Sequence, residues 1–181
     1  MSDPTPTIQT LAEACGTPPP DAALAPRPDA AVAARTRAQI GALEQALRQH
    51  PDAVFGDSAL CPLTHTFAEG FYLREIFIPK GTVLTGKIHR FAHPNFLMAG
   101  EVIVVTEAGG REHLHAPLAM ISPPGTKRAV YAVEDTRWVT VHQTAETDPA
   151  TIVELLTVPD YATLELAPPA LPAPADEETT R

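Results

Sequence analysis

Two histidines four positions apart, His89 and His93, sit in the stretch GKIHRFAHPNFLMAG, with Pro94 directly after the second. On a helix such a pair would share one face. Here the surrounding residues alternate as strands do, so the pair falls on two neighbouring strands joined across a turn. Neutral imidazole is a nitrogen donor suited to zinc, iron, nickel, manganese or copper, and useful affinity needs a third donor. His142 is the expected one: it ends the run RWVTVH, in which Trp138, Thr140 and His142 share a face. Glu75 and Glu101 are the carboxylate options. In YLREIF, Glu75 is adjacent to Arg74, so only one of the two faces inward. Tyr72, Tyr131 and Trp138 can wall a pocket while donating a hydrogen bond, and Glu75 or Tyr131 can serve as a proton-transfer group.

The remaining histidines have plainer readings. His113 and His115 place two imidazoles on one face shortly after a hairpin turn, and read as an exposed strand end. His65 reads as a surface turn before the first clear strand, and His50 as a partner for a helix C-terminal dipole. Cys15 and Cys61 are far apart and form no CxxC pair, and Cys61 has no base beside it in sequence. No GxSxG elbow, P-loop or GxGxxG string occurs.

The elements that must position these residues follow from periodicity and turn chemistry. Residues 1–28, with TPPP and APRP, read as a disordered arm. Residues 29–50 read as a helix: Asp29 can cap it, Val32, Ile40, Leu43 and Leu47 recur at helical spacing, and Pro51 ends it. Its single apolar stripe must dock on the rest of the chain or on a partner subunit. Between residues 60 and 145 the period becomes strand-like, in short runs separated by Gly, Pro, Asp and Asn. Gly109-Gly110 reads as a two-residue hairpin turn. Residues 149–165 read as a short helical or irregular extension, with Pro149 in its first turn, and residues 166–181 as a disordered acidic tail. The fold class is therefore all-β, a single sandwich or barrel with an N-terminal helix.

The segments GTVLTGKIHRFAHPNFLMAGEVIV (Gly81 to Val104) and SPPGTKRAVY (Ser122 to Tyr131) resemble the two conserved motifs of the cupin superfamily. Anchored on Gly100, the first motif puts His93 at its glutamate position, His89 at its second histidine and Lys87 at its first. In the second motif, Pro123-Pro124-Gly125 fits and Arg128 takes the histidine position. TGKIH, His93, PGTKR and WVTVH together also resemble small phage- and prophage-encoded cupins of undefined role. The resemblance covers about half the chain. It implies a cupin-type β-barrel (a double-stranded β-helix, or jelly roll) with the imidazoles pointing inward, and a homodimer.

The resulting expectation is a small-molecule-binding protein with a divalent transition metal on His89, His93 and His142. Lys87 and Arg128 would orient an acidic or phosphorylated ligand, walled by Tyr72 and Trp138. Isomerase, lyase or dioxygenase chemistry would then be open to it. The alternative is a non-catalytic phage-type accessory or assembly module using the barrel as a scaffold, which the cations at Lys87 and Arg128 favour. The net charge of −9 argues against nucleic-acid binding. The start MSDPTPTIQTLAEA has neither the basic nor the apolar part of a signal peptide, and no apolar run is long enough for a membrane span. A cytoplasmic protein is expected.

Overall fold

The computed structural model describes residues 29–54 and 57–166. The arm expected at 1–28 and nearly all of the acidic tail expected at 166–181 lie outside the described residues.

The first helix of the described residues is α1 (Ala30–Gln49). The Asp29 carboxylate accepts a hydrogen bond from the Ala31 N–H at 2.7 Å, and Pro51 follows the helix closely. Ten strands come next: β1 (Leu63–Ala68), β2 (Phe71–Ile78), β3 (Val83–Thr85), β4 (Ile88–His89), β5 (His93–Ala99), β6 (Glu101–Thr106), β7 (Gly110–His115), β8 (Leu118–Ser122), β9 (Arg128–Ala132) and β10 (Thr136–Gln143). Helix α2 (Pro149–Leu156), strand β11 (Thr157–Val158) and helix α3 (Tyr161–Leu166) complete the described chain.

Two antiparallel sheets carry the fold. One has the order β1-β2-β10-β5-β8, the other β3-β9-β6-β7, and β4 pairs separately with β11. Apart from β1, an addition at one edge, the chain crosses repeatedly between a four-strand set 2-10-5-8 and a four-strand set 3-9-6-7. That order is a jelly roll, the eight-stranded double Greek key. The strands form two separate sheets rather than one closed ring.

The alternation that defines the strands also fills the space between them. On β6, Val102, Val104 and Thr106 are buried while their neighbours are not; on β5, His93, Asn95 and Leu97 are buried. Leu97 and Trp138 of the first sheet meet Val102, Val104 and Val130 of the second, and Ile76, Leu84, Leu114 and Met120 pack around them. This apolar cluster occupies one end of the interior, and the polar groups described below occupy the other.

The β5–β6 connection requires a glycine. Gly100 has φ of +88°, and a Cβ there would lie 2.3 Å from the Asp135 carbonyl oxygen. The β6–β7 turn differs from expectation. It spans three residues, 107–109, and of the two glycines only Gly110 has positive φ. Gly110 pairs with Thr106 as the first residue of β7, which leaves too long a loop for a two-residue turn.

Helix α1 docks on its own chain, over β3 and β6, with Ile40 buried. Three polar contacts fix it. Glu44 pairs with Lys127 at 2.5 Å, Arg37 pairs with Glu107 at the β6–β7 turn, and the Arg37 guanidinium lies 4.2 Å over the Tyr161 ring of α3. Helix α2 is capped by Asp148, which accepts from the Thr151 N–H, and it buries Ile152 and Leu156 against Tyr72 and Phe91. No helix among the described residues is long and apolar enough to cross a membrane.

Candidate functional site

Three separate elements bring three imidazoles together. His93 opens β5 and is 2% exposed; His142 lies near the end of β10 and is 5% exposed. Both project from the inner face of the five-stranded sheet, by the same alternation that buries Leu97 and Trp138. His89 comes from β4, a two-residue strand too short to hold itself. It is anchored by β11, which pairs Thr157 with His89 and Val158 with Ile88. The Gly125 N–H donates to the His89 carbonyl at 2.8 Å, and the Arg90 N–H to the Leu156 carbonyl at 2.8 Å. The rings of His89 and His93 are 4.2 Å apart, those of His93 and His142 4.7 Å, and those of His89 and His142 5.2 Å, with the last pair parallel within 1°. One ring nitrogen from each lies within 4.8 Å of those of the other two.

The protonation states follow from the surroundings. His93 Nδ1 lies 3.2 Å from the Phe91 carbonyl, which can only accept, so the proton sits on Nδ1 and Nε2 carries the lone pair. That Nε2 is buried and has no hydrogen-bond partner among the described residues, and the same is true of His89 Nδ1. Burial pushes His89 from 6.5 down to about 2, with His93, His142, Arg128 and Arg74 adding to the effect. Burial likewise lowers His142 to about 3, helped by His93 and Arg74. His93 is lowered by burial, against the opposing hydrogen bond to Phe91. All three rings are therefore neutral at pH 7, the state in which imidazole is a ligand.

Two arginines share this polar end. Arg128 opens β9. Its Nη2 donates to Ser122 Oγ at 2.6 Å, and its guanidinium lies 5.7 Å from the Trp138 ring centroid. Ser122 Oγ in turn accepts from Asn95 Nδ2 at 2.5 Å, and Asn95 Oδ1 accepts from Trp138 Nε1 at 3.2 Å. Arg74 on β2 is paired in register with Thr140 of β10, two residues from the Tyr72–His142 pair. Among the described residues no carboxylate forms an ion pair with either arginine. Burial lowers the pKa of both, while Glu112 favours the charge on Arg128, and Tyr72 and Asp57 favour that on Arg74.

Tyr72 is 1% exposed, and its hydroxyl lies 2.6 Å from His65 Nδ1. The rings of His65, Tyr72, His142 and His89 follow one another in a stacked row. His65 therefore lies on β1 against Tyr72, and not on a surface turn as its sequence context suggested.

Other expected site residues are placed elsewhere. Lys87 is exposed and lines an outer groove of about 740 Å³ between α1 and the β4–β11 pair. Arg74 stands in its place beside the expected Arg128 as a cation acting on the imidazoles. Glu75 points away from the histidines and pairs with Arg137, whose Nε donates to Oε1 at 2.8 Å. Strand parity explains the reversal: Tyr72 and Arg74 share the inner face of β2, and Glu75 takes the other. Tyr131 is 42% exposed on the outside of β9, because Arg128, Val130 and Ala132 take the inside. Trp138 is buried between the polar network and the apolar core.

Fold and site together define a jelly-roll protein with a buried three-histidine cluster. No protein-family model matches the sequence, and no curated protein matches it. Solved structures with a similar fold include KdgF from Halomonas sp., at 15% identity and a TM-score of 0.43 over 51% of this chain and 87% of that one. A cupin 2 conserved barrel domain protein from Salinispora arenicola is 18% identical, with a TM-score of 0.41 over 54% and 87% of the two chains. A cupin superfamily protein from Desulfitobacterium hafniense is 6% identical, with a TM-score of 0.41 over 50% and 84%. These likenesses concern the fold alone.

Proposed function

We propose that this chain is a small-molecule-binding protein whose His89, His93 and His142 hold a divalent transition metal, with Arg74 and Arg128 receiving an acidic group of the ligand beside it. The observation that carries the reading is the gathering of the three imidazoles, one ring nitrogen of each within 4.8 Å of the others, together with two buried nitrogens, His89 Nδ1 and His93 Nε2, that have no hydrogen-bond partner among the described residues. An unsatisfied buried polar atom costs about 1–3 kcal/mol, and two of them in neighbouring rings suit a shared electrophile. The Phe91 carbonyl fixes the His93 tautomer and leaves Nε2 as the free donor, as an outer hydrogen bond does in established metal sites.

The two guanidiniums act in the opposite sense: cations near a divalent ion raise its cost, and an anionic ligand offsets it. Both arginines lack a carboxylate partner among the described residues, so a carboxylate or phosphate can bind them without displacing one. A metal at this place would supply Lewis acidity or an oxygen-binding centre, compatible with isomerase, lyase or dioxygenase chemistry. Tyr72 takes the proton-transfer role that Glu75 or Tyr131 was expected to fill, since its hydroxyl can exchange a proton with His65 Nδ1. A homodimer, implied by the resemblance, and a cytoplasmic location, expected from the sequence, are part of this reading. The rival, a phage-type assembly scaffold, predicts a metal-free protein.

Elemental analysis of the chain purified without a histidine tag tests the proposal. A transition metal that is present in the full protein and lost from interior sites in His93→Ala and in His142→Ala supports it. Folded protein that binds no metal at these residues under saturating zinc, iron, manganese or nickel overturns it.

A further inference from the structure

A second cluster of metal-ligating side chains lies on the outside of the four-stranded sheet. His113 and His115 are two apart on β7, so both side chains leave the same face, and their rings are 4.6 Å apart. Glu101 is the register partner of His115 across the β6–β7 hairpin. One of its carboxylate oxygens contacts His113 Nε2 and the other lies 3.5 Å from His115 Nδ1. One donor atom from each of the three residues falls within 4.8 Å of the others. Buried Val102 and Val104 point to the opposite face of β6, so this cluster is separate from the interior imidazoles.

We propose that Glu101, His113 and His115 form a surface site for a borderline divalent ion, of which zinc is the representative. The donor set decides the class of ion. Two imidazoles and one carboxylate match zinc, copper or nickel, whereas calcium and magnesium call for oxygen ligands. The scaffold is firm. Both the Val133 and Glu134 N–H groups donate to the Glu101 carbonyl, and the Ala116 N–H donates to that of Gly100, so the hairpin holds the three donors in register. Three protein ligands leave a position on a four-coordinate ion for water or for a donor from another molecule.

The opposing charge is Arg111, which shares the outward face of β7 two residues before His113 and lines a shallow depression with it. As an exposed side chain, it can swing into solvent when a cation binds. A plain surface ion pair between Glu101 and protonated histidine is the competing use of the same residues, and it binds no metal.

The test counts zinc bound to the full-length untagged chain at equilibrium, in buffers of fixed free zinc. Removing His113 and His115 together (His113→Ala with His115→Ala) should lower the count by one equivalent per chain and leave the melting curve of the metal-free protein in place, since both side chains are exposed. Glu101→Gln should weaken the same equivalent without abolishing it. The imidazole NMR signals of His113 and His115 should shift together as zinc is added. An unchanged zinc count in the double variant overturns the proposal, whatever the interior site does. A wild-type count of one that falls to zero in the double variant sustains it while refuting the interior reading.

Discussion

At the scale of single residues, one strand pair decides which groups can take part in chemistry. Tyr72 and His142 face each other in register, and their rings stack 6.2 Å apart, while the Tyr72 hydroxyl meets His65. Replacing Tyr72 by phenylalanine keeps the ring and removes the hydroxyl. The stability loss should be about 1 kcal/mol, the net worth of one hydrogen bond, read from urea unfolding, and bound metal should be retained. Tyr131→Phe, on the outer face, should change stability by less than about 0.5 kcal/mol. Equal effects of the two substitutions would mean that the parity of β2 or β9 is misread. Parity was also where the sequence was least legible. YLREIF has an arginine and a glutamate side by side, and RAVYAV has apolar residues on both faces, so neither run names its inner side. The histidines were easier, because a turn between two alternating runs places His89 and His93 together, and RWVTVH puts His142 on the face of Trp138. Lys87 was assigned by motif position alone, and β4 is too short to carry that alignment inward.

At the scale of elements, the site depends on a piece of chain far away in sequence. His89 sits on two residues of β4, and their only strand partner among the described residues is β11, supplied after helix α2. His93 and His142 lie on β5 and β10, which pair directly with each other in the middle of the sheet. Val158, 4% exposed and paired with Ile88, is the link that can be broken selectively. Val158→Asp buries a charge and should release β11 from β4. The expected result is a weakened metal affinity by an order of magnitude or more, with far-UV circular dichroism still reporting the sheets. Affinity unchanged in this variant would show that β4 holds His89 without help. No local pattern announces this clamp: TVP reads as the end of a helix, and a two-residue strand leaves no periodicity to detect. The central strands were legible for the converse reason. Each is long enough to alternate, and glycine, proline or aspartate marks its ends.

At the scale of the whole molecule, packing three neutral imidazoles in one place ties stability to pH. In the unfolded chain each takes up a proton as pH falls through about 6.5; in the folded chain His89 and His142 resist until about 2 and about 3, and His93 is also lowered. Below 6.5 the unfolded state therefore binds more protons than the folded one, so stability is fully present above that pH and declines as the solution is acidified. By pH 5 the loss is about 2 kcal/mol for each of His89 and His142, from roughly 1.4 kcal/mol per pH unit below the unfolded value. That sum is a large part of the 5–15 kcal/mol typical of a domain. Metal-stripped protein should lose urea resistance steeply between pH 6.5 and pH 5, with little change between pH 7 and pH 8 from these groups. Adding a transition metal at pH 7 should raise the unfolding midpoint, because the ion binds the gathered imidazoles of the folded state and finds them scattered in the unfolded one. Replacing His142 by glutamine, which cannot charge, should flatten the acid limb by about one proton while removing the interior site's share of the metal-induced rise. A metal-stripped midpoint that stays level from pH 8 to pH 5 would mean that the three rings accept protons inside the fold, and a cluster that does so has no lone pairs left to offer an ion.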